Sequence, residues 1–166
     1  MMRPSGVFDS EFLHVQPKSS NFNSTQTQNL PIHAHKLEIL YALEKYSTVV
    51  LVSDTGTGKS TQVPQYLYSS GWASEGKAIV CTQPRRVAVL SISKRVAQEV
   101  GCILGDEVGY MIRFDSKYSN KTKIKYCTDG VLIREIMSDP LLSAYSVVMI
   151  DEVSHNPVSK VFSSRR

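Results

Sequence analysis

Apolar positions along this chain fall in short blocks separated by polar, glycine-containing turns, and their period switches between strand-like and helix-like. The β-branched run Thr48-Val49-Val50-Leu51-Val52 suits a pleated, buried surface and reads as a strand. Ala78 to Thr82 reads as a second, and Val108 to Arg113 and Thr122 to Cys127 as short strands. Tyr145 to Ile150 is a continuous apolar run, the mark of a parallel strand covered on both faces. Between these blocks the spacing turns helical. Leu37, Leu40, Tyr41 and Leu43 predict a leading helix that ends near Tyr46. Ser60 to Tyr68 predicts a second helix and Gly130 to Met137 a fourth. The long third runs from Pro84, suited to a first turn, to Val100, with Gly101 to close it. Strands alternating with helices over residues 30–152 predict an α/β fold with a mainly parallel sheet. Met1 to Asn29 is rich in Ser, Asn, Gln and Thr without an apolar period and reads as a disordered arm. Residues 153–166 are polar and Ser-rich, show neither period, and read as a tail.

The chemistry concentrates where the first strand meets the second helix. Ser53-Asp54-Thr55-Gly56-Thr57-Gly58-Lys59-Ser60-Thr61 lies in the strand–turn–helix context of a phosphate-binding P-loop. The glycines let the backbone curl so that successive N–H groups face one anion. The helix N-terminus adds partial positive charge and Lys59 a full one. Ser60 carries the hydroxyl that would reach a Mg²⁺ ion between the outer phosphates. Such a turn can also bind nothing. The pattern asks for Gly at position 53, where this chain has Ser. A positive φ there would strain serine, whereas an extended backbone would cost little. A second candidate is Val147-Val148-Met149-Ile150-Asp151-Glu152, an apolar strand ending in two carboxylates. Asp151 would hold Mg²⁺ through water and Glu152 would polarise an attacking water. Such a pair can also be a strand end reaching solvent.

Charge changes this picture little. The net charge is +4, but Arg3 and Lys18 cancel Asp9 and Glu11 in the arm. Residues 30–152 hold 14 basic and 13 acidic side chains, and Lys160, Arg165 and Arg166 supply the rest of the excess. A nucleic-acid site therefore has to come from local clusters rather than the overall balance. Lys117, Lys121, Lys123 and Lys125 read as a solvated hairpin, and His33 and His35 as surface residues rather than ligands. Cys81, Cys102 and Cys127 lack C-x-x-C spacing; Cys81 and Cys127 read as buried thiols of a reducing compartment. No run of 18 apolar residues predicts a membrane span, and the first 30 residues lack the apolar stretch of a secretory signal.

Four further segments, in order, carry a family resemblance. Gln62-Val63-Pro64-Gln65-Tyr66 continues the P-loop helix, and Thr82-Gln83-Pro84-Arg85-Arg86-Val87-Ala88 is similar to motif Ia. Gly109-Tyr110-Met111-Ile112-Arg113-Phe114 is similar to a segment with a hook-shaped turn, and Thr128-Asp129-Gly130-Val131-Leu132-Ile133-Arg134-Glu135 to motif Ib. Together with the P-loop, these make residues 30–152 resemble the first RecA-like domain of the DEAH-box ATP-dependent RNA helicases of superfamily 2, spliceosome-associated type. The resemblance implies a P-loop NTPase fold and ATP and Mg²⁺ as cofactors. It makes Lys59, Asp151 and Glu152 catalytic, and has Thr55, Gly56, Thr57, Gly58, Lys59, Ser60 and Thr61 cradle the phosphates. It puts Arg95 against the adenine and Ser60 and Asp151 on the metal. It also implies RNA as partner, held by Arg85, Arg86, Arg113 and Thr128, with spliceosomal proteins as further partners and a nuclear location. Paired arginines suit phosphate oxygens because the guanidinium fork binds bidentately.

The departures bear on activity. The family box would read Asp-Glu-Ala-His-Glu-Arg, and this chain reads Asp151-Glu152-Val153-Ser154-His155-Asn156. From Ser154 onward nothing resembles the family, which points to a truncated or alternatively spliced product, or a gene-model error, incomplete at its C-terminal end. In the family's sheet a later strand separates the P-loop strand from the Asp-Glu strand. Without it, the sheet is expected either to close up or to leave two unpaired edges. The alternative functions are accordingly a non-catalytic nucleotide- or partner-binding fragment, or an unstable product.

Overall fold

The computed structural model describes residues 10–14, 30–151 and 158–163. The described residues open with strand β1 (Ser10–His14), a 3₁₀ turn (Pro31–His35) and helix α1 (Lys36–Lys45). Strand β2 (Thr48–Val52), helix α2 (Lys59–Ser69), strand β3 (Ala78–Gln83) and helix α3 (Arg86–Val100) follow. Strands β4 (Val108–Ile112), β5 (Asp115–Lys117) and β6 (Ile124–Thr128) lead to helix α4 (Asp129–Ser138). The last strands are β7 (Tyr145–Ile150) and β8 (Val158–Ser163). All predicted strands and helices of residues 30–150 form, within a residue or two of their expected ends. Gly101 closes α3 at φ 79° as expected, but Pro84 stands just before α3, with Arg85 as its extended N-cap.

Among the described residues, eight strands make one sheet in the order β1-β2-β8-β7-β3-β6-β4-β5. The pairs β1–β2, β7–β3, β3–β6 and β6–β4 are parallel. β5 turns back against β4, and β8 runs antiparallel to both β2 and β7, so those two point the same way. Alternation along the strands divides the core. Val49, Leu51, Ile79, Cys81, Tyr126, Val147 and Met149 pack with buried residues of α1, α2 and α3 on one face. Val80, Cys127 and Tyr145 meet Val131 and Leu132 of α4 on the other. Cys81 and Cys127 are buried thiols as expected, and burial pushes Cys127 up to about 12. No described helix is long and apolar enough to cross a membrane.

Three described strands lie where the sequence predicts none: β1, the short β5 that turns back on β4, and β8. β1 sits in the polar arm and pairs along the free edge of β2, Ser10 opposite Thr48 and His14 opposite Val52. β8 sits in the tail and fills the place between β2 and β7 that was expected to be open or closed up. Its backbone bonds to both neighbours, Val161 lying between Val49 and Met149. Val161 is fully buried in the larger core. A strand flanked on both sides satisfies its N–H and C=O groups in two ladders, and Val161 anchors this one in the core.

Val161→Ala should therefore cost about 2 kcal/mol. Val161→Asp, which buries an unpaired carboxylate, should abolish cooperative thermal melting. Unaltered melting of Val161→Asp would show that the tail lies outside the sheet.

Candidate nucleotide-binding site

The parallel strands all present their C-terminal ends to one edge of the sheet, where open α/β folds place their ligand crevices. The segment 53–58 joins β2 to α2 there. Gly56 and Gly58 take φ of 80° and 99°, a conformation L side chains rarely adopt. Gly58 is also sterically committed: a Cβ would lie 2.9 Å from Leu30 Cδ1 and 3.1 Å from Ile32 Cγ2. The 3₁₀ turn thus packs directly on the loop. Ser53 is not among the described residues with positive φ, so serine is unstrained at the position where the pattern asks for glycine. It is buried, and its Oγ lies 2.7 Å from Thr57 Oγ1.

Lys59 opens α2 and folds back across the loop. Its Nζ donates to the Ser53 carbonyl and Ser53 Oγ at 2.8 Å each, and to the Asp54 carbonyl at 3.0 Å. Beside it, Ser60 Oγ donates to Asp151 Oδ2 across the edge of the sheet. Gln83, at the end of β3, donates to the same carboxylate oxygen at 2.7 Å. Lys59 and Asp151 are both buried. Thr55, Gly56, Thr57, Gly58, Lys59, Ser60, Thr61 and Asp151 line one pocket, completed by Leu30, Ile92 and Arg95. Nine expected site residues thus converge. Glu152 lies outside the described residues.

The P-loop helix is tied down from two sides. Pro64, inside α2, has no N–H for the Ser60 carbonyl one turn earlier. Tyr126 of β6 supplies the missing donor, its hydroxyl 2.8 Å from Ser60 O. From α3, Glu99 accepts Gln62 Nε2 at 2.8 Å and Gln65 Nε2 at 2.7 Å, and Arg95 Nε at 2.9 Å. Burial raises the Glu99 pKa, but these hydrogen bonds outweigh it and leave the carboxyl below its ordinary value. The tie consequently contributes stability above the ordinary carboxylate range and loses it as pH falls through the folded value. Gln83, Tyr126, Gln62, Gln65 and Glu99 were not singled out from the sequence for these contacts. Pro64 within a helix was the one available signal, since it leaves a carbonyl to be satisfied.

The expected RNA-facing residues spread along the same edge. Arg85 and Arg86 are exposed at the start of α3, and Thr128 is the half-buried N-cap of α4. Thr128 pairs in register with Gln83. Arg113 is exposed at the β4–β5 turn, its guanidinium 4.7 Å from the Phe114 ring centre. It lines a different cavity, with Arg134 and Tyr145. Lys125 departs from the solvated hairpin expected of it. It is buried, 2.8 Å from Glu135 Oε1 and 2.7 Å from the Tyr145 hydroxyl. His35 pairs with Glu38 at 2.6 Å, whereas His33 is half-buried against Tyr66 with ring centres 5.4 Å apart.

Parallel sheet, glycine-rich loop, buried lysine and apposed Ser60 and Asp151 define a RecA-like P-loop domain. No family model matches the chain. It is 53% identical over 140 residues to the probable ATP-dependent RNA helicase DHX35 homolog of Caenorhabditis elegans, covering 84% of this chain and 19% of that protein. It is 55% identical over 128 residues to the probable ATP-dependent RNA helicase DHX35 of Homo sapiens, and equally to that of Pongo abelii. Each of these matches covers 76% of this chain and 18% of the relative. Over the matched residues the chain is thus similar to ATP-dependent RNA helicases, and it spans about a fifth of the length of the curated relatives it matches.

Tyr126→Phe should leave the Ser60 carbonyl without a donor, at a cost of about 1–3 kcal/mol. In urea unfolding this reads as a lower midpoint with unchanged slope. An unchanged midpoint would mean that the carbonyl has another partner.

Proposed function

We propose that this chain is an Mg-ATP-binding module of the RNA helicase lineage. The observation that carries the reading is the meeting of Ser60 and Asp151 beside a lysine turned into the glycine-rich loop. The serine hydroxyl and the carboxylate are hard oxygen donors of the kind Mg²⁺ takes. Mg²⁺ bound there would neutralise charge between the outer phosphates. Ser60 and Asp151, now bonded to each other, would separate to hold it. Lys59 would exchange the Ser53 and Asp54 carbonyls for phosphate oxygens. The backbone N–H groups of residues 55–60, at the N-terminus of α2, would orient the chain of phosphates. Arg95 would face the adenine, and Glu152 would accept a proton from the attacking water. Arg85, Arg86 and Thr128, along the neighbouring strand ends, would contact an RNA backbone, and Arg113 would extend that path. RNA remodelling, spliceosomal partners and a nuclear location are proposed from the family alone.

A second reading, nucleotide binding without turnover, is favoured by β8. Its two ladders join β2 to β7 within this chain, which supports a module that would bind nucleotide using these residues alone.

The test is a thermal melt of the 166-residue chain with and without Mg-ATP. Saturation at about 100 times Kd should add roughly 2.7 kcal/mol. Lys59→Ala and Asp151→Asn should each remove most of that gain. A wild-type melt that ATP leaves unmoved would contradict nucleotide binding. RNA-stimulated phosphate release would separate the two readings in favour of the first.

A further inference from the structure

The pocket is lined by two chemically different sets of residues. The glycine-rich loop and Asp151 are polar and suit phosphates and metal. Leu30, Ile92 and Arg95 offer two apolar side chains and one planar cation, which suit the flat face of a base. A half-exposed arginine would ordinarily sample many rotamers there. Arg95 does not stand alone: its Nε donates to Glu99 Oε1 one helical turn along α3. Its side chain is 52% exposed, while that of Glu99 is 13% exposed.

Glu99 is itself held. Its Oε2 receives the amides of both Gln62 and Gln65. Gln62 is buried, donates its backbone N–H to Gly58 O at 2.7 Å, and packs its Cγ 3.2 Å from where a Gly58 Cβ would stand. An ordinary i,i+4 surface pair contributes little to stability and recruits no buried amides. This pair is the outer end of a chain of contacts running from Gly58 through Gln62 and Glu99 to Arg95.

We infer that Glu99 is a positioning residue for the base end of the pocket. It fixes the Arg95 guanidinium through Nε so that the planar face is presented to a nucleobase, and Gln62 couples that placement to the phosphate-binding loop. The inference rests on the nucleotide reading above and adds to it a residue that neither touches the nucleotide nor belongs to any of the motifs.

The test compares two ligands on the full chain, Mg-ATP and Mg-tripolyphosphate, the second lacking base and sugar. The wild type should bind ATP more tightly. Glu99→Gln should weaken ATP about five- to tenfold, the scale of one cation–π contact, and leave tripolyphosphate within twofold. Arg95→Ala should do the same, and the double variant should lose no more than either alone. Glu99→Asp, which keeps the charge but withdraws it from Arg95, carries the same expectation should Glu99→Gln fail to melt cooperatively. Equal weakening of both ligands would overturn the inference, because Glu99 would then only support the P-loop helix. Additive losses in the double variant, or equal wild-type affinity for the two ligands, would overturn it as well. Binding of tripolyphosphate without preference for ATP would leave the phosphate site intact. Binding of neither would remove the nucleotide reading and this inference with it.

Discussion

The site depends on the separation of β2 and β7, and β8 sets it. Neighbouring strands lie about 4.8 Å apart, so one intervening strand holds the two roughly 10 Å apart. Lys160 lies opposite both Val50 and Ile150, which levels the two parallel strands. The loop after β2 and the carboxylate after β7 therefore emerge at the same edge. Ser60, in the first turn of α2, can then meet Asp151. Closing the sheet without β8 would push the loop against Asp151. Leaving the place empty would expose two edges.

From that separation the remaining contacts follow as reinforcements. Gln83 reaches Asp151 because β3 lies next to β7. Tyr126 of β6 lies two strands from β7 and spans beneath the first turn of α2 to satisfy the carbonyl that Pro64 leaves free. The 3₁₀ turn closes the other side of the loop, where a Cβ on Gly58 would crowd Leu30 and Ile32. The proposed nucleotide site lies at an edge whose geometry is set by backbone ladders and whose side chains are held by buried donors.

Much of the architecture was legible because local patterns encode it. The apolar runs of β2, β3 and β7, the helix-closing Gly101 and the glycine-rich loop each carry their structural reason within a few residues. β8 was not legible: Val158 to Ser163 includes Ser159, Lys160 and Ser163, and what places it is two ladders of backbone bonds together with the burial of Val161. β1 escaped for the same reason, because the free edge of β2 selects it through backbone pairing. The core of the site was legible as a motif, but its supports were not. Gln83 and Asp151 are 68 residues apart, Tyr126 and Ser60 are 66, and Glu99 and Gln62 are 37, so only the fold connects them. Lys125 shows the converse. It belongs to the same basic stretch as the exposed Lys117 and Lys121, but it lies on β6, and its partners Glu135 and Tyr145 come from α4 and β7.

The most direct measurement of the central claim is amide hydrogen exchange at Lys160, Val161 and Phe162 in the intact chain. If β8 joins β2 to β7, these amides exchange as slowly as those of β3 at the middle of the sheet. Exchange at the rate of an unprotected peptide would contradict the account, because nothing would then hold the P-loop and Asp151 at their observed separation.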